Sequence, residues 1–165
     1  MCQSRISTAF STCKTTKRHK YRHYIRIDTV SLHRTDNTTI ELHEMGSKFR
    51  QFITPNGVNV IVGSNCHEND ELTFVLGKVE ELWFHVSGYP GSHVLLQTKN
   101  PSSEDIQYAA NLAVKYSKMK RAVKARVDYC RIGDVSKPKG AKPGMVEITN
   151  SNSITGIPLH LTLNK

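Results

Sequence analysis

The chain has 165 residues, enough for one domain with extensions, and its 38% hydrophobic and 22% charged content is that of a globular protein. No stretch reaches the ~20 consecutive apolar residues of a membrane-spanning helix. The net charge of +9 is unevenly spread: residues 1–26 hold seven basic residues and no acid, 27–114 five basic and eleven acidic, and 115–142 ten basic against Asp128 and Asp134.

Two basic blocks thus flank an acidic middle. One-signed blocks focus a field and attract polyanions such as nucleic acid or anionic lipid. A merely solvated lysine face is the bland alternative, and ten basic residues in 28 argue against it. The four cysteines, Cys2, Cys13, Cys66 and Cys130, have no C-x-x-C or regular spacing, so neither a zinc ribbon nor a disulfide framework is indicated. Cys66 and Cys130 are expected as small core residues in a reducing compartment.

Residues 1–26 are rich in Ser, Thr and Arg and poor in acid. That composition excludes an ordinary secretory signal and fits a transit peptide to a plastid or mitochondrion; a basic RNA-binding arm or a mispredicted start fits equally. The expected location is cytoplasmic, or organellar if the transit reading holds. His19 and His23, at i and i+4, are read as incidental to a basic tail. Residues 27–47 read as a polar linker or weak hairpin, and the compact domain, 48–165, starts near Lys48.

In "FRQFITPNGVNVIVG", Asn56-Gly57 signals a hairpin because both residues tolerate positive φ, and Val58, Val60 and Val62 alternate on one face. A short helix over about 68–76, ended by Gly77, follows. "ELWFHV" is a strand with Leu82, Phe84 and Val86 on one face and Trp83 and His85 on the other, and "SHVLLQTK" is the next strand. "NPSSEDIQYAANLAVKYSKMK" is the clearest helix. Asn100 or Ser102 can cap it, Pro101 suits its first turn, and Glu104 and Asp105 favour its positive end. Ile106, Ala109, Ala110, Ala113 and Ser117 form a stripe that allows close approach to a sheet. Lys115, Lys118, Lys120 and Arg121 crowd its far end, where the helix dipole accounts for part of the charge. "AVKARVDYCRIGDV" is another strand, and "SKPKGAKPGMVEIT" a Pro/Gly/Lys loop running into a short one. The order β-β-α-β-β-α-β-β predicts an α+β fold, a mixed and mainly antiparallel sheet with two helices packed on it.

No phosphate-binding glycine loop, nucleophile elbow or H-E-x-x-H is present. Ser92-His93 makes a poor nucleophile–base pair, because adjacent strand residues point to opposite faces. His85 and His93 flank a Pro-Gly turn, and strand parity decides their relation. A four-residue loop pairs His85 with Val94 and separates the histidines. A five-residue loop pairs His85 with His93 on one face. Only the second arrangement admits a metal or acid/base pair, and a third ligand would come from Cys66, His67 or Glu81. Otherwise Trp83 and His85 form a partly exposed aromatic surface on which a base can stack, or His85 is a hydrogen-bonded core histidine. In "KPKGAKPGMV", proline stiffens the loop and glycine lets the backbone approach a partner, so Lys137, Lys139 and Lys142 can be presented to phosphates.

"FRQFITPNGVNVIVGSNCHENDELTF", "ELWFHVSGYPGSHVLLQ", "AANLAVKYSKMK" and "VDYCRIGDVSKPKGAKPGMV", in this order, resemble the NFACT-R domain, the RNA-binding domain at the C-terminal end of ribosome-quality-control factors of the RqcH and NEMF type. The resemblance covers about Lys48 to Thr149, and the loop "KPKGAKPGMV" and the "NDELTF" helix look closer to the bacterial type. It implies binding to tRNA and the large ribosomal subunit on stalled ribosomes carrying a nascent chain. The family's Trp-x-His strand falls on Trp83 and His85, its Gly-Ser-His step on Gly91, Ser92 and His93, and its basic loop on Lys137, Lys139 and Lys142. The family usually has Asp where this chain has Glu81. The tRNA-engaging domain, helix-hairpin-helix and coiled coil of full-length members have no counterpart in these residues. Tail synthesis is therefore not carried over to this chain alone, and a separate protein supplying those domains is an expected partner.

The leading expectation is a non-enzymatic RNA-binding module with no cofactor and no metal. It would meet tRNA or rRNA through Lys115, Lys118, Lys120, Arg121, Lys124, Lys137, Lys139 and Lys142, with Trp83, His85 and His93 stacking or shaping the surface. The alternatives are a histidine-centred metal-dependent enzyme and a DNA-binding or protein-interaction adaptor.

Overall fold

A computed structural model describes residues 48–159 together with the backbone of 40–42. The basic tail and its two histidines lie outside the described residues. Strand β1 spans Ile40–Leu42, β2 Arg50–Ile53 and β3 Asn59–Val62. Helix α1, Cys66–Glu71, runs directly into a π-helical turn, Leu72–Leu76. Strands β4, Leu82–Val86, and β5, Val94–Leu96, precede helix α2, Ser103–Lys115. Strand β6, Ala125–Arg131, leads through one 3-10 turn to β7, Val135–Ser136; β8, Glu147–Ile148, and β9, Asn152–Gly156, close the described chain.

Seven strands form one sheet in the order β1-β2-β3-β5-β4-β6-β9, every neighbouring pair antiparallel, and β7 pairs with β8 separately. This is the expected α+β architecture with additions. Ile40–Leu42 lies in the stretch read as a polar linker or weak hairpin, and its backbone pairs with β2. Strands β7 and β9 were not anticipated; β7 has two residues, and β9 is rich in polar ones.

The period-two pattern sorts the core onto two faces. Val60, Val62, Leu82, Phe84, Val86, Val94 and Leu96 meet Leu112, Val114 and the alanines of α2. Ile61, Trp83, Leu95 and Cys130 point the other way, against Leu72, Ile132 and Val135. Each such aliphatic or aromatic side chain contributes about 1.5–3 kcal/mol relative to exposure.

Local chemistry sets the boundaries. Ser102 caps α2 and forms a reciprocal capping box with Asp105, which leaves Pro101 just outside the helix. In the β2–β3 turn only Gly57 has positive φ, at 83°. Asn56 instead donates from Nδ2 to Ser102 Oγ at 3.0 Å, tying the turn to the cap of α2. Gly77 ends the π-helical turn in extended backbone, not the left-handed form. A Cβ there would lie 2.8 Å from Ile132 Cδ1, so a larger residue would have to displace the end of that side chain.

Candidate nucleic-acid interface

The β4–β5 hairpin settles the histidine question. Its register pairs Leu82 with Leu96, Trp83 with Leu95 and Phe84 with Val94. Continued by one step, that register places His85 opposite His93, the arrangement of the five-residue loop. Both rings stand on the face away from α2, their centroids 5.5 Å apart, with Trp83 4.9 Å from His93 and 5.8 Å from His85. No third ligand joins them: among the described residues, no group of three or more His, Cys, Asp or Glu side chains converges. Glu81 is turned to its own loop, where Oε2 accepts the Lys78 N–H at 2.9 Å. Cys66, expected in the core, is exposed at the first position of α1, whereas Cys130 is buried and burial pushes its thiol pKa up to about 11.

The pair is held as structure. His93 is 1% exposed, its Nδ1 is 2.9 Å from Thr73 Oγ1, and its backbone N–H donates to Asn69 Oδ1 at 3.0 Å. The Asn69 Nδ2 group donates in turn to the Gly91 carbonyl at 3.2 Å. Burial drives the His93 pKa down to about 4, and the neighbouring His85 adds to the effect. Burial also lowers the His85 pKa, opposed by the Asp128 charge and the Gly91 backbone. Both rings therefore favour the neutral form near pH 7. Trp83, at 2% exposure, offers no ring face to a base. For Trp83 and His93 the stacking option falls away, and shaping the surface remains.

The lysine-rich loop is built from two successive turns. Ala141 N–H donates to the Pro138 carbonyl and Met145 N–H to the Lys142 carbonyl. Gly140 and Gly144 occupy the third positions at φ 77° and 81°, the signature of type II turns. One residue of α1 anchors the loop: Asp70 Oδ1 accepts the Gly144 N–H at 3.0 Å, and Oδ2 lies 2.6 Å from Lys137 Nζ. Lys137 also donates to the Lys142 carbonyl at 2.9 Å. Its charge thus faces an acid within the fold, while Lys139 and Lys142 are exposed with no acidic partner among the described residues.

The other basic segment also differs from expectation. Helix α2 stops at Lys115, so Lys118, Lys120 and Arg121 lie beyond it in turns. The helix dipole accounts for Lys115 alone. Lys115 Nζ sits 5.2 Å from the Tyr116 ring centroid and 5.9 Å from that of Phe52, a cation–π placement on the core. Lys118, Lys120, Arg121 and Lys124 are exposed and meet no acid among the described residues. Arg126, not singled out from the sequence, is 3.3 Å from Asp128.

Two consecutive residues of α1 join these segments. Asn69 holds Gly91, which forms an isolated bridge to Ser117, and Asp70 holds the 137–144 loop. Asn69, Asp70 and Thr73 carry no signature of this role in the sequence. Their polarity next to a short helix reads as solvent exposure until the fold places partners opposite them.

Compared with known families, residues 48–150 match the NFACT protein RNA binding domain. The chain belongs to that family. Among its relatives is the Rqc2 homolog RqcH of Bacillus subtilis (strain 168), 35% identical over 102 residues, which are 62% of this chain and 18% of that protein. The Rqc2 homolog RqcH of Streptococcus suis (strain 05ZYH33) is 35% identical over 119 residues, 72% of this chain and 22% of the relative. The chain therefore spans about a fifth of these relatives' length. A solved structure, the C-terminal part of the fibronectin/fibrinogen-binding protein from Streptococcus suis, superposes with a TM-score of 0.66 at 34% identity, covering 73% of this chain and 49% of that one. In this NFACT RNA-binding domain, Lys118, Lys120, Arg121, Lys124, Lys139 and Lys142 are exposed with no acidic partner among the described residues. Lys115 and Lys137 are engaged within the fold.

Proposed function

We propose that the chain is a non-enzymatic module that binds tRNA or large-subunit rRNA in ribosome-associated quality control. The carrying observation is that six cations with no acidic partner among the described residues stand on two segments tied to α1, in a domain of an RNA-binding family. Phosphate contacts from such groups position an RNA backbone without reading its sequence. Lys115 and Lys137 act indirectly, the first on the core and the second by fixing the loop that presents Lys139 and Lys142.

Counterion release makes the reading testable. Each neutralised phosphate adds about −0.7 to −0.9 to the slope of log K against log salt, so six contacts give roughly −4 to −5. Binding of the full chain to tRNA and to purified large subunits, measured across a salt series, should show that slope. Affinity independent of salt sinks the proposal. A shift of the chain into large-subunit fractions when translation is stalled would tie the binding to the process.

A protein-binding adaptor is the second reading, favoured by the name of the Streptococcus suis relative. It predicts capture of a protein ligand that excess tRNA does not displace.

A further inference from the structure

The β4–β5 loop carries an exposed aromatic residue, and its backbone is tied to both basic segments. Tyr89 is 50% exposed, one of the few large hydrophobic side chains left on the surface. The loop around it is fixed on both sides. The Ser87 N–H donates to the Arg126 carbonyl at 2.9 Å, which ties the start of the loop to β6. The Lys118 N–H donates to the Pro90 carbonyl, and the Ser92 N–H to the Tyr116 carbonyl, both at 3.0 Å. Gly91 packs so closely on Ser117 that a Cβ there would lie 2.8 Å from the Ser117 Cβ. Gly88 and Tyr89 are left as the apex, between Ser87, which is hydrogen-bonded to Arg126, and Pro90, which is hydrogen-bonded to Lys118.

We propose that Tyr89 is the stacking residue of a subsite for one unpaired nucleotide, whose flanking phosphates are met by the 118–124 cations. The inference rests on the RNA-binding reading above and deepens it by naming the kind of RNA. A tyrosine ring pairs with the flat face of a base, and every base has such a face. In an RNA duplex those faces are covered by neighbouring pairs, and only loops, bulges and ends leave them open. The pinned loop fixes the backbone that carries the ring before the ligand arrives, which lowers the ordering cost at binding. Trp83 and His93, the aromatic candidates suggested by the sequence, are buried behind this loop and serve to shape it.

The test compares two RNA probes of equal phosphate number, a hairpin with an unpaired loop and a duplex whose two ends are capped by non-nucleotide linkers. Binding is measured by fluorescence anisotropy with the full chain. Tyr89→Ala should weaken hairpin binding about tenfold, the size expected for one stacked base, and leave the duplex unchanged. Tyr89→Phe should retain the hairpin affinity, because the ring is kept. The salt slope should be the same in both variants as in the parent chain, since no phosphate contact is lost. Tyr89 is exposed at a loop apex, so unaltered thermal unfolding of the variants checks the fold. Equal hairpin affinity for Tyr89→Ala and the parent chain overturns the subsite, as does an equal loss on both probes. If the parent chain binds neither probe, the RNA-binding reading falls and takes the subsite with it. If Tyr89→Ala is silent while Lys118→Ala and Lys120→Ala lower the slope, the reading survives without the subsite.

Discussion

Asp70 Oδ2 lies 2.6 Å from Lys137 Nζ while Oδ1 of the same carboxylate accepts the Gly144 N–H, so one side chain on α1 clasps the basic loop at two points seven residues apart. The ion pair is partly exposed and by itself is worth no more than about 1 kcal/mol. The charge-assisted bond to a backbone N–H adds to it, because the amide would otherwise lack a partner. Asp70→Ala should lower global stability by about 1–3 kcal/mol. It should also speed hydrogen exchange at Gly144 well beyond that of amides in β4. Unchanged protection at Gly144 would show that the turns hold the loop without the clasp.

The parts of this fold that were legible in the sequence are those whose pattern faces a core. Leu82, Phe84 and Val86 alternate with Trp83 and His85, and the two sets lie on opposite faces as the strand period demands. Ser102 and Asp105 announce α2 because capping is a local transaction. Strand β7 was missed because it has two residues, and β9 because it is largely exposed and so carries no apolar period. The end of α2 was missed because Tyr116 to Met119 continue an amphipathic pattern without helical backbone. For the candidate site, charge on 115–142 was visible, but which cations are free was not. Lys137 and Lys142 look alike in the sequence, and only the position of Asp70 separates them. Asn69 and Thr73 were invisible for the same reason, since their partner is a histidine twenty or more residues away.

His93 ties stability to pH. Its pKa falls from the ordinary 6.5 to about 4 in the fold, chiefly through burial. The unfolded chain therefore binds the extra proton first as pH drops, and stability declines between about pH 6.5 and pH 4. At 1.36 kcal/mol per unit, the full window is worth about 3 kcal/mol. In a series of thermal unfolding curves, His93→Gln should lose most of this slope. A residual slope of the same sign should remain from His85, whose pKa is also lowered by burial. A variant whose stability falls with acid as steeply as the parent would mean that other groups carry the dependence.

Gly63 marks the tightest approach in the histidine brace. A Cβ there would lie 2.2 Å from Asn69 Oδ1 and 3.2 Å from the Asn69 backbone nitrogen. That same Oδ1 accepts the buried His93 N–H. Gly63→Ala should push the Asn69 side chain away and leave a buried donor without its acceptor. The combined cost of overpacking and the lost bond is about 2–4 kcal/mol. Denaturant unfolding should show the midpoint falling with the slope unchanged. A loss under about 0.5 kcal/mol, the range of ordinary surface changes, would mean that the brace rearranges freely.

The single tryptophan offers a direct reading of how the central hairpin meets RNA. Trp83 is 2% exposed, packed between Ile61, Leu95 and the two histidine rings. Its indole N–H has no hydrogen-bond partner among the described residues, so the ring contributes through packing. Trp83→Phe should cost on the order of 1.5 kcal/mol, since a smaller aromatic fills most of the space, whereas Trp83→Ala should cost about 3–5 kcal/mol. A shaping role also fixes the fluorescence. Emission should be blue-shifted, acrylamide should quench it poorly, and saturating RNA should leave its intensity nearly unchanged. Strong quenching by RNA, together with loss of affinity in Trp83→Phe at full folding, would place the indole against a base and return stacking to Trp83. With Trp83 silent and Tyr89→Ala weakened, the hairpin divides its work between a buried ring that sets the loop and an exposed ring that meets the nucleotide.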